Sequence, residues 1–277
     1  MLLSKDIVDL ERQEKIYIEN GWSTDLIECT KTYKIEYLSD DVTVEGYISE
    51  PDDIKSKLPV VIWNRGGFRE DGKLDDFLAV GILGEIASWG YVAMMTNYRE
   101  DDELGGKDLD DIFNLISIAE ELPYCDTDRM GMEGWSRGGM MLYMTLARTD
   151  RFRCAVSVAG LADFKMSSEN NIHISEIVKK KLKEMNETEE NIINSRSAFR
   201  FYENICPDTP ILFLHGTKDD KVNFKESEEL YGLLKTKNKD TNYELHLFDG
   251  DDHYLNKHKS EVAKLRKDWY DRYLLKK

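Results

Sequence analysis

The stretch Gly134-Trp135-Ser136-Arg137-Gly138-Gly139 constrains this chain more than any other. It follows a short apolar run, Arg129-Met130-Gly131-Met132-Glu133, and opens an amphipathic stretch, Met140 to Arg148. A serine between glycines, set between a strand and a helix, predicts a turn so sharp that the serine is left projecting from its tip. Side chains at the flanking positions would collide with neighbouring backbone, and Gly134 and Gly138 remove them. Ser136 is therefore the candidate nucleophile. Serine chemistry then requires a base to take the proton, an acid to orient that base, and donors for an oxyanion.

The rest of the chain reads as strands alternating with helices. Thr32–Leu38 and Val42–Ser49 form a first pair, and the second alternates as a half-exposed strand does. Pro59–Trp63 is continuously apolar, as expected of a strand buried on both faces. Tyr91–Met95, the run before Ser136, Arg153–Val158, Pro210–Leu214 and Tyr243–Phe248 complete the set. Between them, Phe77–Trp89 (closed by Gly90), Leu109–Leu122 and Ser260–Leu275 carry helical periodicity. This pattern predicts an α/β fold with a mostly parallel eight-stranded sheet, helices on both faces, and ligand sites at the strand ends. About fifty residues of charged, helix-forming sequence follow strand six, including Ile177 to Met185. They predict a helical insertion over about 161–206 that serves as a lid or as ordinary packed helix. With no repeat, no low-complexity tract and only 5 prolines, residues 1–277 read as a single domain.

Composition narrows the function classes. Hydrophobic residues make up 41% and charged residues 33%, as in a soluble globular chain. The formal net charge of -16 repels a phosphate backbone, so nucleic acid is not expected as a partner. No stretch reaches membrane-spanning length, and Met1–Asp6 lacks the pattern of a signal peptide. Cys29, Cys125, Cys154 and Cys206 are scattered without a C-x-x-C pair, which predicts free thiols in a reducing cytoplasm and neither disulfides nor a metal site. The absence of G-x-G-x-x-G between an early strand and helix argues against a nicotinamide-dependent dehydrogenase, and no cofactor is expected.

Partners for Ser136 stand after later strands. Asp219 lies in His215-Gly216-Thr217-Lys218-Asp219-Asp220-Lys221-Val222, beyond the seventh strand, and is placed to be the acid; Asp220 is the alternative. His253 follows the last strand in Asp249-Gly250-Asp251-Asp252-His253, with His258 as its competitor. His215 and His246 read as structural, and His173 falls in the insertion. One oxyanion donor is expected from the Arg137 backbone, immediately after the nucleophile. The other is expected from the loop Asn64-Arg65-Gly66-Gly67-Phe68-Arg69-Glu70, with Gly67 first and Gly66 second. Arg65, Phe68, Trp135 and Arg99 are candidate substrate-binding residues, and the charged ones also read as structural charges.

The order Ser, Asp, His is that of the α/β-hydrolase fold. Several blocks together resemble the prolyl oligopeptidase family of serine hydrolases: G-W-S-x-G-G, Asp126 with Arg129 ahead of the elbow strand, and Asn97-Tyr98-Arg99. Pro210 to Val222 resembles that family's P-x-L-x-x-H-G-x-x-D-x-x-V, and Asp252-His253 its histidine block. The resemblance covers about residues 40–275. It implies catalysis by Ser136, Asp219 and His253 on a small ester or a short peptide, without metal or cofactor. Two departures stand out. The family's H-G-G-P loop appears as Arg65-Gly66-Gly67-Phe68, with no tyrosine donor, so the oxyanion hole is expected to use backbone unless Arg65 contributes. With roughly 50 residues ahead of the third strand in this sequence, the family's large N-terminal β-propeller is not expected. An ester or small amide hydrolase is therefore expected first, a short-peptide peptidase second, and a non-catalytic binding protein on the same fold third.

Overall fold

The computed structural model describes every residue except 24, 171–174, 177–178, 181–187 and 276–277. The chain divides into two compact units, Met1–Gly131 and Met132–Lys276.

In the first unit, β1 (Leu2–Ile7), β2 (Thr30–Ser39) and β3 (Val42–Pro51) pair antiparallel in sequence order. Tyr33 stands opposite Ile48 and Tyr37 opposite Val44. β3 then pairs antiparallel with β5 (Val92–Thr96), and β5 pairs parallel with β4 (Leu58–Asn64). Val60, Val61 and Ile62 are completely buried, as the unbroken apolar run of β4 predicts. The first helices are α1 (Arg12–Gly21), α2 (Leu26–Cys29) and α3 (Asp76–Ser88). Leu10, Ile18, Leu26 and Val80 form a cluster to which Trp22 and Phe77 are packed. Asp75 caps α3, its carboxylate accepting from the Leu78 amide at 2.9 Å. α4 (Asp108–Glu121) turns Leu109, Ile112, Leu115, Ile116 and Ala119 inward, the face its periodicity predicts.

β6 (Cys125–Trp135) carries the chain into the second unit. There α5 (Arg137–Leu146) is followed by β7 (Phe152–Val158), which pairs parallel with β8 (Ile211–Gly216), which in turn pairs parallel with β9 (Tyr243–Phe248). α5 departs from expectation: all ten of its residues are buried, so its sequence is amphipathic in appearance only. The insertion contains α6 (Phe164–Asn170), α7 (Glu189–Arg196) and the single turn α8 (Ala198–Phe201). The helix expected over 177–185 falls largely outside the described residues, as does His173. α9 (Phe224–Lys237) lies between β8 and β9, and α10 (Lys259–Tyr270) follows them, ending in a π-helical turn at Asp271–Leu275.

The α/β architecture is the one expected, with parallel pairing of β4 with β5, β7 with β8 and β8 with β9. The strand count is not: the described residues hold nine strands, and the added one is β1. Its sequence, Leu-Leu-Ser-Lys-Asp-Ile, has no alternation, and its residues are half-buried or exposed. Only its ladder to β2 makes it a strand, which is a tertiary condition and leaves no periodic mark in the sequence.

Candidate active site

Ser136 sits at the turn between β6 and α5 with φ 56° and ψ -122°, a conformation that costs a non-glycine residue roughly 1–3 kcal/mol. The turn is fastened on both sides. The Ser136 amide donates to Val158 O at 3.0 Å, and Ser136 O accepts from the amides of Gly139 and Leu161, each at 2.9 Å. A Cβ on Gly134 would overlap the Gly138 carbonyl, and one on Gly139 would lie 2.5 Å from Gly160 Cα. The backbone therefore passes where only glycine fits, and Ser136 is left half-buried at the tip. The Arg137 amide opens α5, at the end of a helix where N–H groups have no intrahelical acceptor and the dipole favours negative charge.

Asp219 and His253 are brought together from the turns after β8 and β9. Asp219 Oδ2 lies 2.7 Å from His253 Nδ1, with the carboxylate side chain wholly buried and His253 only 6% exposed. Asp219 Oδ1 accepts from the amides of Lys221 (2.8 Å) and Val222 (2.9 Å). A second imidazole reaches the same oxygen as His253: His215 Nε2 is 3.0 Å from Oδ2. Burial disfavours the charge on Asp219, but hydrogen bonds from His215, His253 and the backbone outweigh it and hold the carboxyl well below the ordinary carboxylate range. The two turns are also tied to each other through backbone: Thr217 N donates to Phe248 O at 3.0 Å and Lys218 N to Asp251 O at 2.9 Å.

The competing residues are placed elsewhere. Asp220 is exposed. His258 pairs with Asp251 at 2.8 Å, and Asp251 also accepts the Asp252 amide, so this pair shapes the loop that carries His253. His246 stands within β9, 3.6 Å from Glu244.

The side chains proposed to touch substrate are mostly spent on structure. Arg65 is 1% exposed, and its guanidinium donates to the carbonyls of Gly66, Arg69, Asp71 and Asn97 at 2.8–3.2 Å. It braces the loop after β4. Gly67 has φ 71°, and a Cβ there would overlap the Asp71 carbonyl, so its freedom serves the loop's own closure. Gly66 takes part in the same closure through its carbonyl. Phe68 lies against Arg69, whose Cζ is 5.3 Å from the ring centroid. Arg99 is 9% exposed and grips the buried Asp111 at 2.7 Å and Asp40 at 3.1 Å. Trp135 donates from Nε1 to Glu133 at 2.5 Å, with the Arg266 guanidinium over its ring. The direction of a long side chain depends on neighbours that are distant in sequence, so the charge pattern alone did not separate bracing from binding.

Three supporting residues have roles that their places in the sequence barely mark. His215 and Ser227 stand behind Asp219, and only the spacing of His215 four residues ahead of Asp219 was available as a mark. Glu226, fully buried on α9, accepts from the amides of Ala162 and Asp163, each at 2.8 Å, and from Ser167 Oγ at 2.6 Å. It holds the loop after β7, the loop whose Leu161 amide binds Ser136 O. Burial raises the Glu226 carboxyl to about 7, against the pull of those three donors.

A serine at a strained strand-to-helix turn and a carboxylate-held histidine are thus both present on an α/β fold, the parts that serine hydrolase chemistry uses. The chain belongs to the prolyl oligopeptidase family, whose model matches residues 87–277. Among curated proteins it is 27% identical over 263 residues to an uncharacterized peptidase, YuxL, of Bacillus subtilis, covering 87% of this chain and 39% of that one. A second Bacillus subtilis uncharacterized peptidase, YtmA, is 26% identical over 74% of this chain and 80% of its own length. Dipeptidyl aminopeptidase B of Saccharomyces cerevisiae is 25% identical over 84% of this chain and 30% of that protein. The chain thus spans well under half of two of these three relatives. Among solved structures, Pyrococcus horikoshii acylaminoacyl peptidase superposes with a TM-score of 0.75 at 20% identity, covering 98% of this chain and 45% of that one. A puromycin-hydrolyzing peptidase of Mycobacterium tuberculosis gives 0.72 at 19% identity, covering 88% of this chain and 39% of that one. Among the described residues no helix is long and apolar enough to cross a membrane.

Proposed function

We propose that this protein hydrolyses a short peptide or amide bond, or a carboxylic ester, through an acyl-enzyme, with Ser136 as nucleophile, His253 as general base and acid, and Asp219 as its orienting carboxylate. The observation that carries the reading is the 2.7 Å contact of the buried, ionised Asp219 with His253 Nδ1. A carboxylate there fixes the tautomer with hydrogen on Nδ1 and leaves Nε2 as the base. Ser136 Oγ attacks the carbonyl carbon as its proton passes to His253 Nε2. The Arg137 amide stabilises the resulting oxyanion, and the sequence pattern nominates the Gly67 or Gly66 amide as the second donor. Collapse expels the amine or alcohol, which takes the proton from His253. Water, deprotonated by the same imidazole, then releases the acid and restores Ser136. The peptidase names of the relatives favour peptide and amide substrates, and esters would enter by the same acyl transfer.

A fluorophosphonate probe tests this assignment. Wild type should label and Ser136→Ala should not, with turnover of short acyl esters and aminoacyl amides falling by about 10⁴-fold or more. Labelling that survives in the alanine variant would defeat it, and an unlabelled, inactive wild type would favour a binding protein on this fold.

A further inference from the structure

We infer that His215 is a positioning residue for the reaction, a second imidazole that fixes the Asp219 carboxylate from behind while His253 works in front of it. The inference rests on the catalytic roles proposed above. Both rings address one atom, Asp219 Oδ2, at 2.7 Å from His253 Nδ1 and 3.0 Å from His215 Nε2. With two backbone amides on Oδ1, the carboxylate receives four donors, which is its full capacity. His215 is itself locked. Its Nε2 faces two acceptors, Asp219 Oδ2 and Val222 O at 3.1 Å, so that nitrogen carries the hydrogen. Its Nδ1 therefore accepts from Ser227 Oγ at 2.7 Å, from the first turn of α9. His215, Ser227 and the Asp219 side chain are all wholly buried, so no water competes for these bonds.

Two consequences follow for the chemistry. The rotamer of Asp219 is set by a strand and a helix, because His215 belongs to β8 and Ser227 to α9. The donor from His215 also draws charge away from Oδ2, which moderates how strongly Asp219 stabilises the imidazolium of His253. Without that donor the carboxylate presents fuller charge to the His253 ring.

The test compares His215→Leu, His215→Gln and Ser227→Ala in the full chain, each checked by thermal melting. Glutamine returns a donor close to the Nε2 position. His215→Leu should lower kcat by about tenfold to a hundredfold with little change in KM, as loss of the group that orients a working ligand does elsewhere. The acidic limb of its kcat/KM profile should move to higher pH. His215→Gln should recover most of the rate and the position of the limb, and Ser227→Ala should show a smaller displacement in the direction of His215→Leu. A folded His215→Leu with wild-type kcat and limb overturns the inference, as does a His215→Gln no better than leucine. If leucine does not fold, an unshifted limb in Ser227→Ala overturns it instead. Survival of probe labelling in Ser136→Ala would strike the catalytic reading itself, a result separable from any of these.

Discussion

In the catalytic roles proposed above, Asp219 concentrates the chemistry of the site in one carboxylate, and its substitution separates orientation from packing. In Asp219→Asn an amide replaces an acceptor where ring N–H groups donate, so His253 loses the partner that selects its tautomer. The expected outcome is a fall in kcat of about 10⁴-fold in a folded protein, read by steady-state kinetics beside a circular dichroism melt. The same carboxyl predicts a pH dependence of stability. Its folded pKa lies below the ordinary carboxylate value, so its stabilisation is present above about pH 4 and lost as pH falls through the folded pKa. Urea melts at pH 7 and pH 3 should show the gap between wild type and Asp219→Asn shrinking in acid.

At the scale of elements, the elbow depends on the loop after β7, and that loop depends on α9. Glu226 reaches from α9 to the amides of Ala162 and Asp163, while Leu161 binds Ser136 O. Its carboxyl is raised to about 7, so the sign is opposite to that of Asp219. Stability from this group is complete below the unfolded value near 4.3 and declines as pH rises through about 7. Glu226→Gln keeps an acceptor for the amides and removes the charge. Relative to wild type it should gain on the order of 1–3 kcal/mol between pH 5 and pH 8, measured by chemical denaturation. A constant difference across that range would show that Glu226 does not titrate there.

Across the molecule, each compact unit encloses a buried ion pair, and the pair of the second unit joins elements far apart in the chain. In the first, Arg99 binds Asp111 of α4 at 2.7 Å. In the second, Glu133 of β6 takes Arg266 of α10 through both oxygens, at 3.0 and 2.9 Å, and also the Tyr270 hydroxyl at 2.6 Å. Breaking one partner leaves an uncompensated charge, so Glu133→Ala should cost about 3–5 kcal/mol. The apolar double variant Glu133→Leu/Arg266→Met should recover most of that, because it removes both desolvation costs at once. Denaturant midpoints of the three proteins measure the difference.

The sequence by itself determined what is local or periodic. The glycines around Ser136, the apolar runs of β4 and β7 and the inward face of α4 were legible, because each is enforced by backbone sterics or by burial at a fixed period. Asp219 and His253 were nominated through their chain order and their places after β8 and β9, and the fold sets their side chains 2.7 Å apart. Tertiary structure alone decided what depends on distant neighbours. β1 exists through its ladder to β2, α5 is buried on every side, and Arg65 and Arg99 turn into carbonyls and carboxylates that no spacing rule places beside them. The same holds for His215: a strand histidine reads as core until the fold sets Asp219 at one nitrogen and Ser227 at the other. A hydrogen bond needs atoms within about 3 Å, and only the folded chain fixes that distance between residues far apart in sequence.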